Sequence, residues 1–334
     1  MSKRRLLNIA ALVCGVAVLA GTIWQIGWQN VLAHVETVGA GFLLLIALQL
    51  VSALLDAWSL RVALGGGVGI GRLLGVGLAG AAVNQFTPLG EGGEVLKGNM
   101  LLGQVPGERA VSAVFSWNLA HRVSKHLTIF LGPLLMFAVE PERFGVPMLL
   151  AFVLAGVIAT VPTALLFLLA WSRGAERVVG VLRRVPWVKR RVSDRLLAKA
   201  RETDGLVREF SSTRRRDAAV MVGIQIGAKL LWIFDYWVVQ QMLDVDMTIV
   251  EAAFMVSGAQ ILGVALAVSP VQIGVTEAGE AGLWALLGLP VDVGFAQAFV
   301  RRLRSLVIHF AGLVYLGFEG FRRRPSTAAR EALP

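Results

Sequence analysis

Six runs of this chain, at about 6–27, 39–63, 111–139, 146–171, 218–243 and 292–320, are almost wholly apolar. Each is long enough to cross a hydrocarbon layer of about 30 Å, which takes roughly 20 helical residues. Backbone inside that layer must satisfy its own hydrogen bonds, so runs of this length fold as helices. Composition agrees: 56% of the 334 residues are hydrophobic, 16% are charged, and the mean hydropathy is +0.69. The sequence therefore predicts an all-α polytopic membrane protein. Lys3, Arg4 and Arg5 precede the first run as in a signal peptide, but no convincing small-residue cleavage site follows, so a retained first helix is expected.

Two further apolar stretches, about 70–103 and 248–289, are broken by Gly, Pro and Glu. The first contains QFTPLGEGGEVLKG and the second SPVQIGVTEAGEAG. Charge placement orients them. Of the 32 Lys and Arg, 14 lie between Arg173 and Arg216, beside six acidic residues when Asp217 is included, and Arg322 to Arg324 add a second group. Under the positive-inside rule both termini and the 172–217 loop face the cytoplasm. The runs then alternate so that stretch 70–103 begins and ends inside while stretch 248–289 begins and ends outside. Both become re-entrant helical hairpins, entering from opposite faces.

Each half thus reads as helix, helix, hairpin, helix, an inverted pair covering 1–145 and 146–322, with a cytoplasmic tail at 323–334. Polar and proline positions repeat at a nearly constant offset. DAW at 56–58 matches DYW at 235–237 with an offset of 179, and Thr87-Pro88 matches Ser269-Pro270 at 182. Glu94 and Glu277 differ by 183, Arg122 and Arg304 by 182, His126 and His309 by 183, and Pro106 and Pro290 by 184. Gly- and Pro-broken apolar segments at corresponding places in two halves are the sequence pointer to a transporter's binding site.

The net charge of +10 does not indicate nucleic acid, because the basic loop is too short and too poor in aromatic residues for a folded binding module. Val192, Leu196, Leu206 and Phe210 fall near helical spacing, so either an amphipathic helix on anionic inner-leaflet lipids or a solvated connector is open. The single cysteine, Cys14, excludes an internal disulfide and a cysteine-built metal site. Trp24, Trp28 and Trp171 sit near run ends, as interfacial anchors do. GxSxG, HExxH and the Walker-type phosphate loop are absent, GEGGE lacks dinucleotide-loop spacing, and GGGVGIG at 65–71 reads as a flexible turn. No enzyme activity, cofactor or metal is expected.

The candidate functional residues are the charges within apolar runs, which are costly there and usually face a cavity or a partner. In the first hairpin these are Glu91, Glu94 and Lys97; in the second, Glu277 and Glu280. The helix dipole would favour carboxylates at the start of the second arm, so helix-end stabilisation is the structural alternative for Glu91 and Glu94. His121, Arg122, Lys125 and His126 occupy one and a half turns of a spanning helix, as do Arg301, Arg302, Arg304 and His309 in the other half. Either they face inward, able to meet a carboxylate or a phosphate, or they snorkel from tilted helix ends. Asp56 and Asp235 could couple protons, or pair with Arg61 and Lys229. Pro88, Gly90, Gly93, Pro270 and Gly274 shape the hairpin backbones.

The P-x-G-x-G-G-E run at 88–94, the long helix with Arg122, and the S-P-x-x-x-G segment at 269–274 with Glu277 and Arg304 resemble the lysylphosphatidylglycerol synthase transmembrane family, over about 6–320. That family includes the flippase half of bacterial aminoacyl-phosphatidylglycerol enzymes. The resemblance implies a multi-pass inner-membrane protein that moves a lipid or lipid-linked group between leaflets. It carries Pro88, Gly90, Gly93, Glu94 and Arg122 in the first half, and Pro270, Gly274, Glu277 and Arg304 in the second. No soluble acyltransferase domain is visible, so synthesis of an aminoacyl lipid is not expected. The expected function is a lipid translocase. An intramembrane transferase using Glu91 or Glu94 as base, and a small-solute or ion transporter of the same plan, are the alternatives.

Overall fold

The computed structural model describes residues 38–85, 87, 92–171, 205, 214–265 and 275–322. The first apolar run, most of the basic loop and the tail lie outside the described residues, so the expectations placed on them do too. Among the described residues the chain is helical, with one isolated bridge between Leu102 and Val105 and no extended sheet. In chain order the helices are α1 (Gly41–Leu64), α2 (Ile70–Asn84), α3 (Gly92–Leu101), α4 (Gly107–Val139), α5 (Pro141–Trp171), α6 (Arg215–Met242), α7 (Ile249–Ala265), α8 (Val275–Leu286) and α9 (Val291–Arg322).

Four of them, α1, α4, α5 up to Val161, and α6, are long and apolar enough to cross a membrane. α9 is one 32-residue helix over the sixth expected run but is not in that set; Arg301, Arg302, Arg304 and His309 interrupt its apolar character. α5 holds a break at Gly145, whose backbone (φ 65°, ψ 156°) leaves the helical region, so its first turn is set at an angle to the rest. Apolar side chains turn outward along the spans: Leu43, Leu54 and Trp58 on α1, Leu150, Leu154 and Ile158 on α5. A soluble protein rarely exposes apolar surface so contiguous.

Both broken stretches are pairs of short helices. α2 and α3 have 15 and 10 residues, reaching about 22 and 15 Å at 1.5 Å per residue, well below the roughly 30 Å of a bilayer core. α7 and α8 have 17 and 12 residues, or about 26 and 18 Å on the same measure. α2 lies against α3, and α7 against α8.

The long helix after each stretch packs mainly on the first helix of the other: α4 on α7, and α9 on α2. Both crossings close on a glycine. A Cβ on Gly132 would sit 2.3 Å from Ser257 Oγ and 2.4 Å from the Ala253 carbonyl oxygen, and one on Gly312 would sit 2.2 Å from the Leu78 carbonyl oxygen. Gly132 and Gly312 differ by 180 positions, and Leu78 and Ser257 by 179. The Ser257 hydroxyl also donates to the Thr128 carbonyl at 2.7 Å, holding α7 to α4. α1 and α6, the helices with the DAW and DYW triplets, pack side by side.

The apolar core falls into parts that follow this plan. One part, with Leu60, Leu64, Leu73, Trp117 and Met221, joins α1, α2, α4 and α6. Another, around Tyr236, Phe254, Met255 and Trp284, joins α4, α6, α7 and α8. Helix ends on the two sides are held by charge. On one, Arg109 and Arg214 donate to the last carbonyls of α1, including those of Val62, Ala63 and Leu64. On the other, Thr248 and Glu251 form a reciprocal cap on α7, and Arg143 bridges Glu251 at 2.6 Å to the Leu287 carbonyl at the end of α8.

Candidate functional site

The turn between α2 and α3 is organised by Asn84 and Thr87. The Gly93 amide donates to Asn84 Oδ1 at 2.6 Å, and the Gly92 amide to Thr87 Oγ1 at 3.2 Å, so the orphan donors at the start of α3 are taken up by side chains. Two glycines let the helices meet at backbone distance: a Cβ on Gly93 would lie 2.0 Å from the Gly80 carbonyl oxygen, and one on Gly80 would lie 2.5 Å from Lys97 Cε. Glu94 then stands in the first turn of α3. Its Oε1 accepts from Lys97 Nζ at 2.9 Å and from Asn84 Nδ2 at 3.3 Å, while its buried Oε2 has no partner among the described residues.

From this pair a chain of polar contacts crosses the molecule. Lys97 Nζ lies 3.7 Å from the centre of the Trp117 ring, a cation held on an aromatic face. Trp117 stacks on His121 at 5.5 Å between ring centres. His121 Nδ1 meets Gln225 Oε1 at 3.0 Å, and Gln225 Nε2 donates to Asp56 Oδ1 at 2.9 Å. The charges of Lys229, Lys97 and Glu94 all act on Asp56. Hairpin, α4, α6 and α1 are thereby joined through side chains deep in apolar helices.

A second cluster gathers where α6, α8 and α9 meet. Glu280 accepts from the Tyr236 hydroxyl at 2.7 Å and from Arg301 at 3.0 and 3.2 Å, and the Arg301 guanidinium lies over the Tyr236 ring at 4.0 Å. Arg304, 3% exposed, forms a buried ion pair with Asp235. In the second cluster two arginines meet two carboxylates, while Asp235 Oδ2, Arg301 Nε and Arg304 Nε have no hydrogen-bond partner among the described residues. Trp232 lies between the clusters, 5.4 Å from Lys229 Nζ on one side and 5.8 Å from the Arg301 guanidinium on the other.

The structure places the expected residues unevenly. Glu94, Lys97 and Asp56 join the first cluster; Glu280, Arg304 and Asp235 join the second. Arg122 Nε donates to Asn118 Oδ1 at 2.7 Å. Asp56 takes Gln225 and Asp235 takes Arg304, so the pairings weighed with Arg61 and Lys229 are not the ones that form. His126 is buried against α5, with Nδ1 3.4 Å from Thr160 Oγ1, and His309 is half-buried on α9. No contact recorded among the described residues brings either histidine to a glutamate. Glu91, Pro88, Gly90, Pro270 and Gly274 lie outside the described residues, as does the side chain of Glu277. Among the described residues no group of His, Cys, Asp and Glu is arranged to hold a metal.

Sequence reasoning passed over Asn84, Trp117, Gln225, Trp232 and Tyr236. A signal for three of them was present: Gln225, Lys229, Trp232 and Tyr236 recur at i, i+4, i+7 and i+11 on α6. Such a polar and aromatic stripe in a spanning run marks an inward face. Asn84 carries no comparable pattern, since its role depends on the turn that returns α3 against it.

A family profile, the lysylphosphatidylglycerol synthase TM region, matches residues 8–312. The chain belongs to this family. The lysylphosphatidylglycerol synthase TM family places it among membrane proteins of the lipid-modification and flippase-like kind. No curated protein and no solved structure matches the chain. Within the family's matched region lie both hairpins, both polar clusters and every described helix up to the middle of α9.

Proposed function

We propose that the protein moves a lipid, or a lipid-linked headgroup, between the leaflets of the cell inner membrane, without catalysing a covalent reaction on it. The observation that carries this reading is the first hairpin: two helices too short to cross, meeting at Gly80 and Gly93, with Glu94 half-buried beside them and one of its carboxylate oxygens buried and unpartnered among the described residues. Non-helical backbone and free polar groups at membrane depth are tolerated where they line a polar space. Family membership supports the lipid as cargo.

Two inverted repeats, 1–145 and 146–322, would supply the motion. The matched glycine crossings of α4 on α7 and α9 on α2 support them, since both pairs keep the offset near 180 that Glu94, Arg122 and His126 keep with their counterparts. One half rocks against the other about the hairpins, the headgroup stays among the polar side chains, and the acyl chains stay in the bilayer. Both termini and the basic loop lie on the cytoplasmic side, where the loop meets anionic inner-leaflet lipids.

The test is transfer of a labelled lipid between leaflets of reconstituted vesicles. Glu94→Gln and Arg122→Ala are expected to abolish transfer while leaving a folded protein by circular dichroism and thermal midpoint. Normal transfer by both variants would remove the proposed site.

A further inference from the structure

α6 and α9 meet through side chains, while their backbones pack chiefly on other helices, α6 on α1 and α9 on α2. The contacts fix an antiparallel register. Asp235 pairs with Arg304; one position further along α6, the Tyr236 ring lies under Arg301, three positions back along α9. Val238, Val239 and Val300 then share an apolar cluster. Gln240 stands four residues beyond Tyr236, and Gln297 four residues before Arg301, each on the same helix face as the residue that makes the contact. A turn advances only about 5.4 Å, so the register sets the two amides across from one another.

Both glutamines are completely buried. Gln297 Oε1 accepts from the Trp284 indole at 3.1 Å, which leaves its amide nitrogen to donate elsewhere. That nitrogen has no partner among the described residues, and neither amide atom of Gln240 has one. Arg301 Nε, Arg304 Nε and Asp235 Oδ2, at the ion pairs beside them, are unpartnered in the same way. A buried amide that makes no hydrogen bond has given up its hydration without return, a loss that an apolar side chain of the same size avoids. The unpaired atoms are of both kinds: nitrogens that donate, and Gln240 Oε1 and Asp235 Oδ2, which accept. Among the described residues the charge is already balanced, with two guanidiniums against Glu280 and Asp235, and a phosphate or an ammonium would upset it. A hydroxyl carries no charge, donates once and accepts twice, and so satisfies both kinds of atom.

We propose that the seam between α6 and α9, around Gln240 and Gln297, binds a group with several hydroxyls, a sugar or polyol headgroup, with both ion pairs left intact. Because side chains close it, the seam can admit that group without unpacking α6 from α1 or α9 from α2. That a lipid bears the headgroup rests on the translocation reading. The chemistry recognised is the hydroxyl, and a free sugar offers the same groups.

Purified full-length protein in a polyoxyethylene detergent, which carries no sugar, tests this by native mass spectrometry with four probes: a monohexosyl diacylglycerol, phosphatidylcholine and diacylglycerol with the same acyl chains, and methyl glucoside. The hexosyl lipid is expected to bind saturably, and phosphatidylcholine and diacylglycerol at least about tenfold more weakly. Gln240→Met and Gln297→Met should each weaken the hexosyl lipid by about tenfold, the size of two hydrogen bonds between neutral groups, and leave phosphatidylcholine unchanged. Because methionine fills similar space without unpaired atoms, Gln240→Met should also raise the thermal midpoint of the lipid-free protein, the reverse of losing a structural contact. Glutamine-dependent binding of methyl glucoside as tight as that of the hexosyl lipid assigns the site to a soluble sugar; binding confined to the hexosyl lipid assigns it to the headgroup. Equal binding of phosphatidylcholine or diacylglycerol, unchanged hexosyl-lipid affinity in Gln240→Met, or a lowered midpoint or failure to fold in that variant overturns the proposal. Gln297→Met also strands the Trp284 indole, so where it does not fold Gln240→Met decides alone. Detergent has no leaflets, so failure here leaves the vesicle assay of Glu94 and Arg122 to be judged by itself, and failure of that assay leaves this binding test standing.

Discussion

Gly93 has no room for a side chain, since a methyl there would overlap the Gly80 carbonyl oxygen at 2.0 Å and Asn84 Oδ1 at 2.5 Å. Backbone carbonyls cannot swing aside as a lysine tip can, so Gly93→Ala must push α2 and α3 apart. Overpacking of this kind costs about 1–3 kcal/mol, and the amide contact to Asn84 that orders the turn goes with it. The expected result is a lowered thermal midpoint in detergent together with loss of lipid transfer. Gly98→Ala on the same helix, where nothing lies within 4 Å, should leave both unchanged. At the same scale, Asp235 and Arg304 form a buried ion pair whose partners are 3% exposed each. Removing one partner strands the other, a loss of about 3–5 kcal/mol, whereas removing both is often close to neutral. Arg304→Met should therefore be strongly destabilised, and Asp235→Asn with Arg304→Met should recover most of the thermal midpoint; a double variant as unstable as the single one would show that Arg304 acts through packing.

At the scale of elements, α7 starts with a reciprocal cap and its neighbour α8 ends on an arginine. Thr248 Oγ1 accepts from the Glu251 amide at 3.2 Å, Glu251 Oε2 accepts from the Thr248 amide at 2.8 Å, and Arg143 ties Glu251 to the last turn of α8. Losing the threonine cap costs about 1 kcal/mol on typical scales. Thr248→Ala should lower the midpoint modestly, and Glu251→Ala by more, because it also breaks the ion pair with Arg143, which keeps, among the described residues, only Glu140 and the Leu287 carbonyl. Hydrogen exchange should show faster opening at the start of α7 in both variants, while α2 and α3 keep wild-type protection; uniform loss of protection would mean that the two hairpins unfold as one unit.

Over the whole molecule, the crossings at Gly132 and Gly312 are where α4 packs on α7 and α9 on α2. The inverted arrangement is tested by where the approaches to the hairpins face. Gly69, the residue before α2, and Asp246, shortly before α7, are both exposed. In a Cys14→Ala background, Asp246→Cys in intact cells should react with a membrane-impermeant maleimide, and Gly69→Cys should react only after lysis. Labelling of both from the same side would end the inverted reading, and with it the rocking motion, while leaving the polar clusters in place.

Much of the architecture was legible in the sequence because it follows from local composition. The apolar runs behind α1, α4, α5 and α6 announce spans by length, and glycine, proline and glutamate announce the breaks at both hairpins, since each of these residues acts on the helix that contains it. Glu94, Lys97 and Arg304 could be singled out for a similar reason: a charge in an apolar run is anomalous wherever the helix goes. Partners are another matter. Asp235 with Arg304, Asp56 with Gln225 and Lys97 on Trp117 join residues on different helices. Their choice depends on which faces the helices turn to one another and at what register, quantities that glycine contacts such as Gly132 on Ala253 decide only once the helices are packed. The amino-acid order by itself settled that this chain lies in a membrane and where its helices break; tertiary packing alone decided which buried charges meet which partners, because hydropathy is a property of a segment and charge pairing is a property of distance.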